Sequence, residues 1–140
     1  MADPIQPSNA AIALASSALR AQQTRMRVIA ENLANADSTA ATPGGDPYRR
    51  HVPVFRPQNI KGAGEGVGLM RVAIDQTDFR TEYAPGHPAA DAKGYVKLPN
   101  VDPLIEALDM REAQRAYEAN LNVIETARVI DSSTLDIIKK

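Results

Sequence analysis

The chain has 140 residues, of which 44% are hydrophobic and 4% aromatic, with 16 basic and 17 acidic side chains. That length permits one domain, or a small one with extended arms, and so few aromatics exclude a large conventional core. A net charge of −1 gives no electrostatic reason for a nucleic-acid or membrane partner, and the lack of cysteine excludes disulfides, zinc–thiolate centres and thiol nucleophiles.

Met1-Ala2-Asp3-Pro4 carries neither a basic n-region nor a following apolar h-region, so no secretory signal peptide is expected. No stretch approaches the roughly 20 apolar residues of a membrane span. All eight glycines fall between Gly44 and Gly94, and proline is absent from Ser8 to Thr42 and from Leu104 to Lys140. These two residues weaken helix interiors most. Their distribution predicts a mainly α fold with a small β insert. Long N- and C-terminal helices pair as a coiled coil around a short antiparallel β/loop segment. The expected divisions are an N-terminal arm over 1–42, a middle over 43–100 and a C-terminal arm over 101–140, the arms forming one discontinuous helical domain.

In the first arm Ile5, Ile12, Leu19, Met26 and Leu33 recur every seventh residue, with Ala15, Gln22, Ile29 and Ala36 three after the last four. This is an a/d-like stripe broken by one polar group. Ser8 after Pro7 is the expected N-cap, and Asn35 the expected end, because asparagine tolerates the left-handed conformation. Asn32 and Asn35 share a face of this helix. Asparagine is a poor helix former, which leaves two readings for these and for Asn120. They are exposed or capping residues, or buried amides that fix helix register.

In the middle, alternation predicts strands at Tyr48–Phe55, Met70–Ile74 and Phe79–Tyr83, with Pro53 confining the first to an edge or bulge. Gly62, Gly64, Gly66 and Gly68 read as a flexible hairpin loop rather than a phosphate cradle, since no Lys-Ser/Thr or helix follows. His51 and His87 have no neighbouring ligand at metal spacing. Pro85-Gly86-His87-Pro88 reads as a structural turn with a hydrogen-bonded histidine; an acid–base couple of His87 with Asp91 is the enzymatic alternative. No serine stands in a nucleophile elbow. No catalytic, cofactor-binding or metal-binding residue is expected, and no small-molecule substrate.

The C-terminal arm opens with Asp102 as N-cap and Pro103 at the first helical position, and Glu106 sets negative charge near the positive helix end. Lys139 and Lys140 do the reverse at the far end. Two apolar stripes run down it. Ile105, Leu108, Ala116, Ala119, Val123, Ala127, Ile130 and Ile137 form the stripe expected to pair with the first arm. Met110, Ala113, Tyr117, Leu121, Ile124 and Ile138 form a second, assigned to contacts between subunits, because the chain offers no third long helix. A three- or four-helix bundle is the alternative, but the arms lack the breakers it needs.

Particular motifs carry a resemblance. Ala30-Glu31-Asn32-Leu33-Ala34-Asn35-Ala36, then Pro47-Tyr48-Arg49-Arg50, then Tyr83–Asp91 continuing through Gly94-Tyr95-Val96 to Pro99-Asn100-Val101, and finally Tyr117-Glu118-Ala119-Asn120, run along the chain. With these the chain resembles the rod and hook axial proteins of the bacterial flagellum, and among them a proximal-rod subtype. It departs at Ser16-Ser17-Ala18, where the wider family often has glycine. The resemblance implies terminal helices in the inner part of a helical rod, which transmits motor torque. It implies copies of the same chain and neighbouring rod proteins as partners, export through the flagellar type III apparatus, and residence in the basal body between inner membrane and hook. The alternatives are another proximal-rod subunit, a small hydrolase using His87 and Asp91, and a soluble coiled-coil adaptor.

Overall fold

The computed structural model describes residues 7–138; Ile5, Lys139, Lys140 and the N-terminal tetrapeptide lie outside the described residues. Two long helices, α1 (Pro7–Ala34) and α2 (Pro103–Ile138), enclose four strands in sequence. The strands are β1 (His51–Ile60), β2 (Gly64–Ile74), β3 (Arg80–Tyr83) and β4 (Tyr95–Leu98). The helices pack together, and the middle folds as two antiparallel hairpins, β1–β2 and β3–β4.

The helix ends follow from local chemistry. Asp102 caps α2, its Oδ1 accepting from the Leu104 and Ile105 amides at 2.9 and 3.4 Å. α1 begins at Pro7, so Ser8 lies one residue inside rather than at the cap. Asn35 does end α1, but without the left-handed backbone expected of it: no described non-glycine residue has a positive φ. Its side-chain amide donates to the Glu31 carbonyl at 2.8 Å, beside its own backbone amide at 3.2 Å, which tightens the last turn.

The chain divides into two compact units, and each helix contributes to both. The first gathers the described residues up to Met26 with Val54–Arg71 and those from Glu112 onward. Here α1 buries Ala15, Ser17 and Ala21, and α2 buries Ala113 and Ala127. Small side chains line this seam, which lets two helix axes approach closely. The Ser17 hydroxyl donates to the Leu14 carbonyl and accepts the Val67 amide at 3.2 Å, tying β2 to α1. Gly66 makes that approach possible. A Cβ there would stand 2.6 Å from Ser17 Oγ and 2.5 Å from Ile60 Cδ1. The glycine run is therefore not a flexible loop: only Lys61-Gly62-Ala63 turns, and Gly64, Gly66 and Gly68 belong to β2.

Gln22, the polar interruption of the α1 stripe, is turned inward, and its Oε1 is buried with no hydrogen-bond partner among the described residues. An unsatisfied buried acceptor costs about 1–3 kcal/mol. Gln22→Leu is expected to raise stability by roughly 1 kcal/mol, measured by denaturant midpoint at unchanged slope.

The second unit comprises Arg27–Pro53 and Val72–Arg111, with Val28, Ile29, Ala36, Ala89, Val96 and Val101 in its core. β3 and β4 pair from Arg80 with Leu98 to Tyr83 with Tyr95. β4 escaped the sequence reading: Tyr95 is exposed and Val96 buried, but Lys97 and Leu98 are both half-buried, so the strand shows no clean alternation. The first strand starts at His51, three residues later than expected, because Tyr48 and Arg50 are held by side-chain bonds instead of a ladder.

Candidate functional site

Two features stand out: a buried polar knot in the second unit, and an apolar outer face on α2. The knot is built around Asn32 and Glu106, which are 1% and 0% exposed. Asn32 sits in the last turns of α1. Its amide nitrogen donates to the His51 carbonyl at 2.9 Å and to Glu106 Oε2 at 3.1 Å. Its oxygen accepts the Tyr48 hydroxyl at 2.8 Å and the His51 amide at 2.9 Å. All four hydrogen-bonding positions of one amide are used. The Tyr48 proton is committed to Asn32, so the His51 Nδ1 contact at 3.1 Å has the imidazole N–H donating to the phenol oxygen. Burial, then the charges of Glu31 and Glu106, push the Tyr48 phenol above its ordinary range and keep that donor protonated.

Glu106 Oε1 forms a close ion pair with Arg50 Nε. The same guanidinium reaches Asp75 at 3.7 Å and Asp109 at 3.8 Å. Arg50 is fixed through its backbone as well: its amide donates to Asn100 Oδ1 at 2.8 Å, and its carbonyl accepts the Asp75 amide at 2.9 Å. Asn100 in turn donates to Asp75 and Thr77. Four chain segments are thus joined by charge-assisted bonds in a protected place, where such bonds are strongest.

Asp75 titrates low, held down first by the Thr77 amide and hydroxyl and then by Arg50. A depressed carboxylate contributes stability that is full above its unfolded pKa, near 3.9, and is lost as pH falls through the folded value. Stability is therefore expected to drop below about pH 4, with Asp75→Asn, which keeps an acceptor for the Thr77 amide, showing a shallower decline in thermal melts across that window.

The Pro85–Pro88 turn is structural. His87 is exposed; its amide donates to the Ala84 carbonyl at 3.0 Å, and its Nδ1 accepts the Ala89 amide at 3.0 Å. Asp91 Oδ1 accepts the Lys93 and Tyr95 amides at 2.8 and 2.9 Å, which holds this carboxylate below its usual range. His87 Nδ1 and Asp91 Oδ1 are each engaged by backbone amides, and no hydrogen bond joins these two side chains. Gly94, at φ +84, closes the same turn; a Cβ there would meet Tyr83 Cε2 at 2.9 Å. No cluster of three or more metal-binding side chains occurs among the described residues, and no helix there is long and apolar enough to cross a membrane.

Sequence comparison decides what such a scaffold belongs to. Residues 12–41 match the model for "Flagella basal body rod protein", and residues 92–137 that for "Flagellar basal body rod FlgEFG protein C-terminal". The flagellar basal-body rod protein FlgC of Agrobacterium fabrum is 48% identical over 137 residues, covering 96% of this chain and 98% of that protein. FlgC of Salmonella typhimurium is 43% identical, covering 89% and 92%, and that of Aquifex aeolicus 37%, covering 92% and 96%. The chain belongs to the FlgC family of flagellar basal-body rod proteins. It is a structural rod subunit, not an enzyme.

The motif residues of this rod subunit meet in space. Asn32, Tyr48, Arg50 and Asn100, drawn from three separate stretches of the resemblance, converge on the knot. Of the three asparagines singled out by their helical context, Asn32 joins helix to helix. Asn35 and Asn120 bond carbonyls of their own helices. Glu106 was read only as a helix-end charge. Its signal was register: it lies on the 106–110–113–117 inward spacing of α2.

That spacing runs against the assignment of the larger members of the two stripes, although Ala127 of the pairing stripe is buried and Ile138 of the other is exposed. Ala113 is fully buried and Met110, Tyr117 and Ile124 are half-buried, so most of the stripe assigned to neighbours is turned inward. Ile105, Leu108, Val123 and Ile130 of the stripe assigned to helix pairing are 53%, 58%, 46% and 57% exposed. Leu121 is exposed too. On α1, Ile29 is buried while Ile12, Leu19, Met26 and Leu33 are half-buried at the margin. Size of apolar residue does not choose the inner face; small side chains and polar pairing do.

Proposed function

We propose that this chain builds the proximal rod together with further copies of itself and neighbouring rod proteins, forming a helical shaft that transmits motor torque. The supporting observation is the outer face of α2, where Ile105, Leu108, Val123, Ile130 and Ile137 are left uncovered by the chain's own fold. Leaving such groups in water forgoes about 1.5–3 kcal/mol for each large side chain. Burial against the next subunit recovers that at every step of the assembly. The half-buried margin of Ile12, Leu19, Met26 and Leu33 on α1 serves the same packing, with Tyr117, Asn120 and Ile124 inside the subunit. The arms 1–42 and 101–140 supply this helical packing domain, and 43–100 braces it. The subunit reaches the periplasm-spanning rod through the flagellar type III export apparatus.

Ile130→Asp is expected to leave the isolated subunit within about 0.5 kcal/mol of the parent, as exposed positions do. Rod completion and motility should be lost, since a carboxylate buried without a partner is costly. Normal swimming with intact basal bodies would show that this face is not an interface.

A further inference from the structure

An apolar groove of about 460 Å³ opens in the first unit, lined by Pro7 and Ala11 of α1 and by Val123, Thr126, Ala127 and Ile130 of α2. A second concavity on α2 shares Thr126 and Ile130 with it and is lined also by Glu125, the one charged side chain bordering either. The α1 wall adds no charge, because that helix has none before Arg20. In the same unit, β2 presents Leu69, 43% exposed, and Arg71, also exposed. Two residues apart on a strand, they share one face. Residues 54–71 of the hairpin carry Arg56, Lys61 and Arg71 against Glu65 alone.

We propose that the groove receives the Leu69–Arg71 face of β2 from a second copy of this chain, Leu69 entering beside Val123 and Ile130 while Arg71 meets Glu125. The proposal rests on the assembly reading above and gives it a specific contact. Charge complementarity supports it: Glu125 lines the concavity that adjoins the groove and shares Thr126 and Ile130 with it, and the hairpin has an excess of basic groups. The chain's own Glu65, Gly66 and Val67 border a neighbouring concavity with Ala11 and Val123, but its Leu69 does not reach the groove. Leu69 lies beside Arg20, Ala21 and Thr24, and Ala21 is ten residues along α1 from the groove residue Ala11, about 15 Å at the helical rise. The two surfaces differ, so the contact is heterologous. Pairing two copies leaves one groove and one hairpin free, and the contact propagates instead of closing. A two-stranded ribbon is marginal alone, and cover from the neighbour stabilises it.

The absence of cysteine makes the test clean. Arg71→Cys and Glu125→Cys are introduced together, and isolated basal bodies are treated with a short bis-maleimide. The expected result is a ladder of linked copies of this chain. Arg71→Glu should cut the amount of this chain in rods by about tenfold, and adding Glu125→Arg should restore it. Complete rods with no ladder, linkage only within one copy, or linkage to a different rod protein would each overturn the inference while leaving the assembly reading intact. If the unmodified chain is absent from isolated rods, the assembly reading itself fails, and this contact with it.

Discussion

Replacing Asn32 by leucine is expected to destabilise the second unit by about 3–5 kcal/mol, among the largest effects of any single substitution in this chain. The volume is nearly conserved, so the loss does not come from a cavity. It comes from stranding partners: the His51 amide and carbonyl, the Tyr48 hydroxyl and Glu106 Oε2 all bond this one amide. Each buried group left unsatisfied carries a desolvation cost of about 1–3 kcal/mol. Asn32→Asp should also be severe, because it replaces the donor to Glu106 with a second carboxylate. Chemical denaturation of the purified subunit, followed by hydrogen exchange at Arg27–Ala34 and Pro103–Arg111, measures both. A loss below 1 kcal/mol for Asn32→Leu would show that water replaces the amide and that the knot is not tight.

Glu106→Ala is expected to cost a comparable amount, about 3–5 kcal/mol, since it leaves Arg50 partly buried beside a void. Here a double mutant separates net attraction from the penalty of a broken pair. If most of the cost is stranded charge, Glu106→Leu with Arg50→Met should recover part of the stability lost by Glu106→Ala. Recovery should be incomplete, because Asp75 and Asp109 also lie within 4 Å of that guanidinium and would lose this contact. Full recovery in denaturant melts would reduce Arg50 to a passive partner of Glu106. No recovery would place its main role with Asp75 and Asp109. Motility of the same strains then tells whether the knot matters for rod building beyond keeping the subunit folded.

Much of this architecture was legible in the chain. The confinement of glycine and proline marked both helices, and Asp102-Pro103 marked the start of α2 to the residue. The Pro85–Pro88 turn could be read because its residues restrict the backbone locally, whatever surrounds them. Motif resemblance located Asn32, Tyr48, Arg50 and Asn100 without revealing that they touch, and it left out Glu106 and Asp75. Composition misled where backbone approach mattered: Gly66 and Gly68 looked like loop residues, yet both lie in β2, and Gly66 is glycine because a Cβ would collide with Ser17 and Ile60.

What the sequence by itself determined is therefore local and periodic. It set where helices run, where they are capped, which side chains share a face, and that no thiol chemistry is available. Tertiary structure alone decided which face turns inward and which polar atoms meet. Asn32 and Glu106 are 74 positions apart, and no helical period reports a bond at that separation. Periodicity gives α2 two apolar stripes of similar weight. The choice between them depends on which lets α1 approach closely and satisfies a buried amide and carboxylate. That condition involves both helices and the hairpin segments at once, so only the folded chain can meet it.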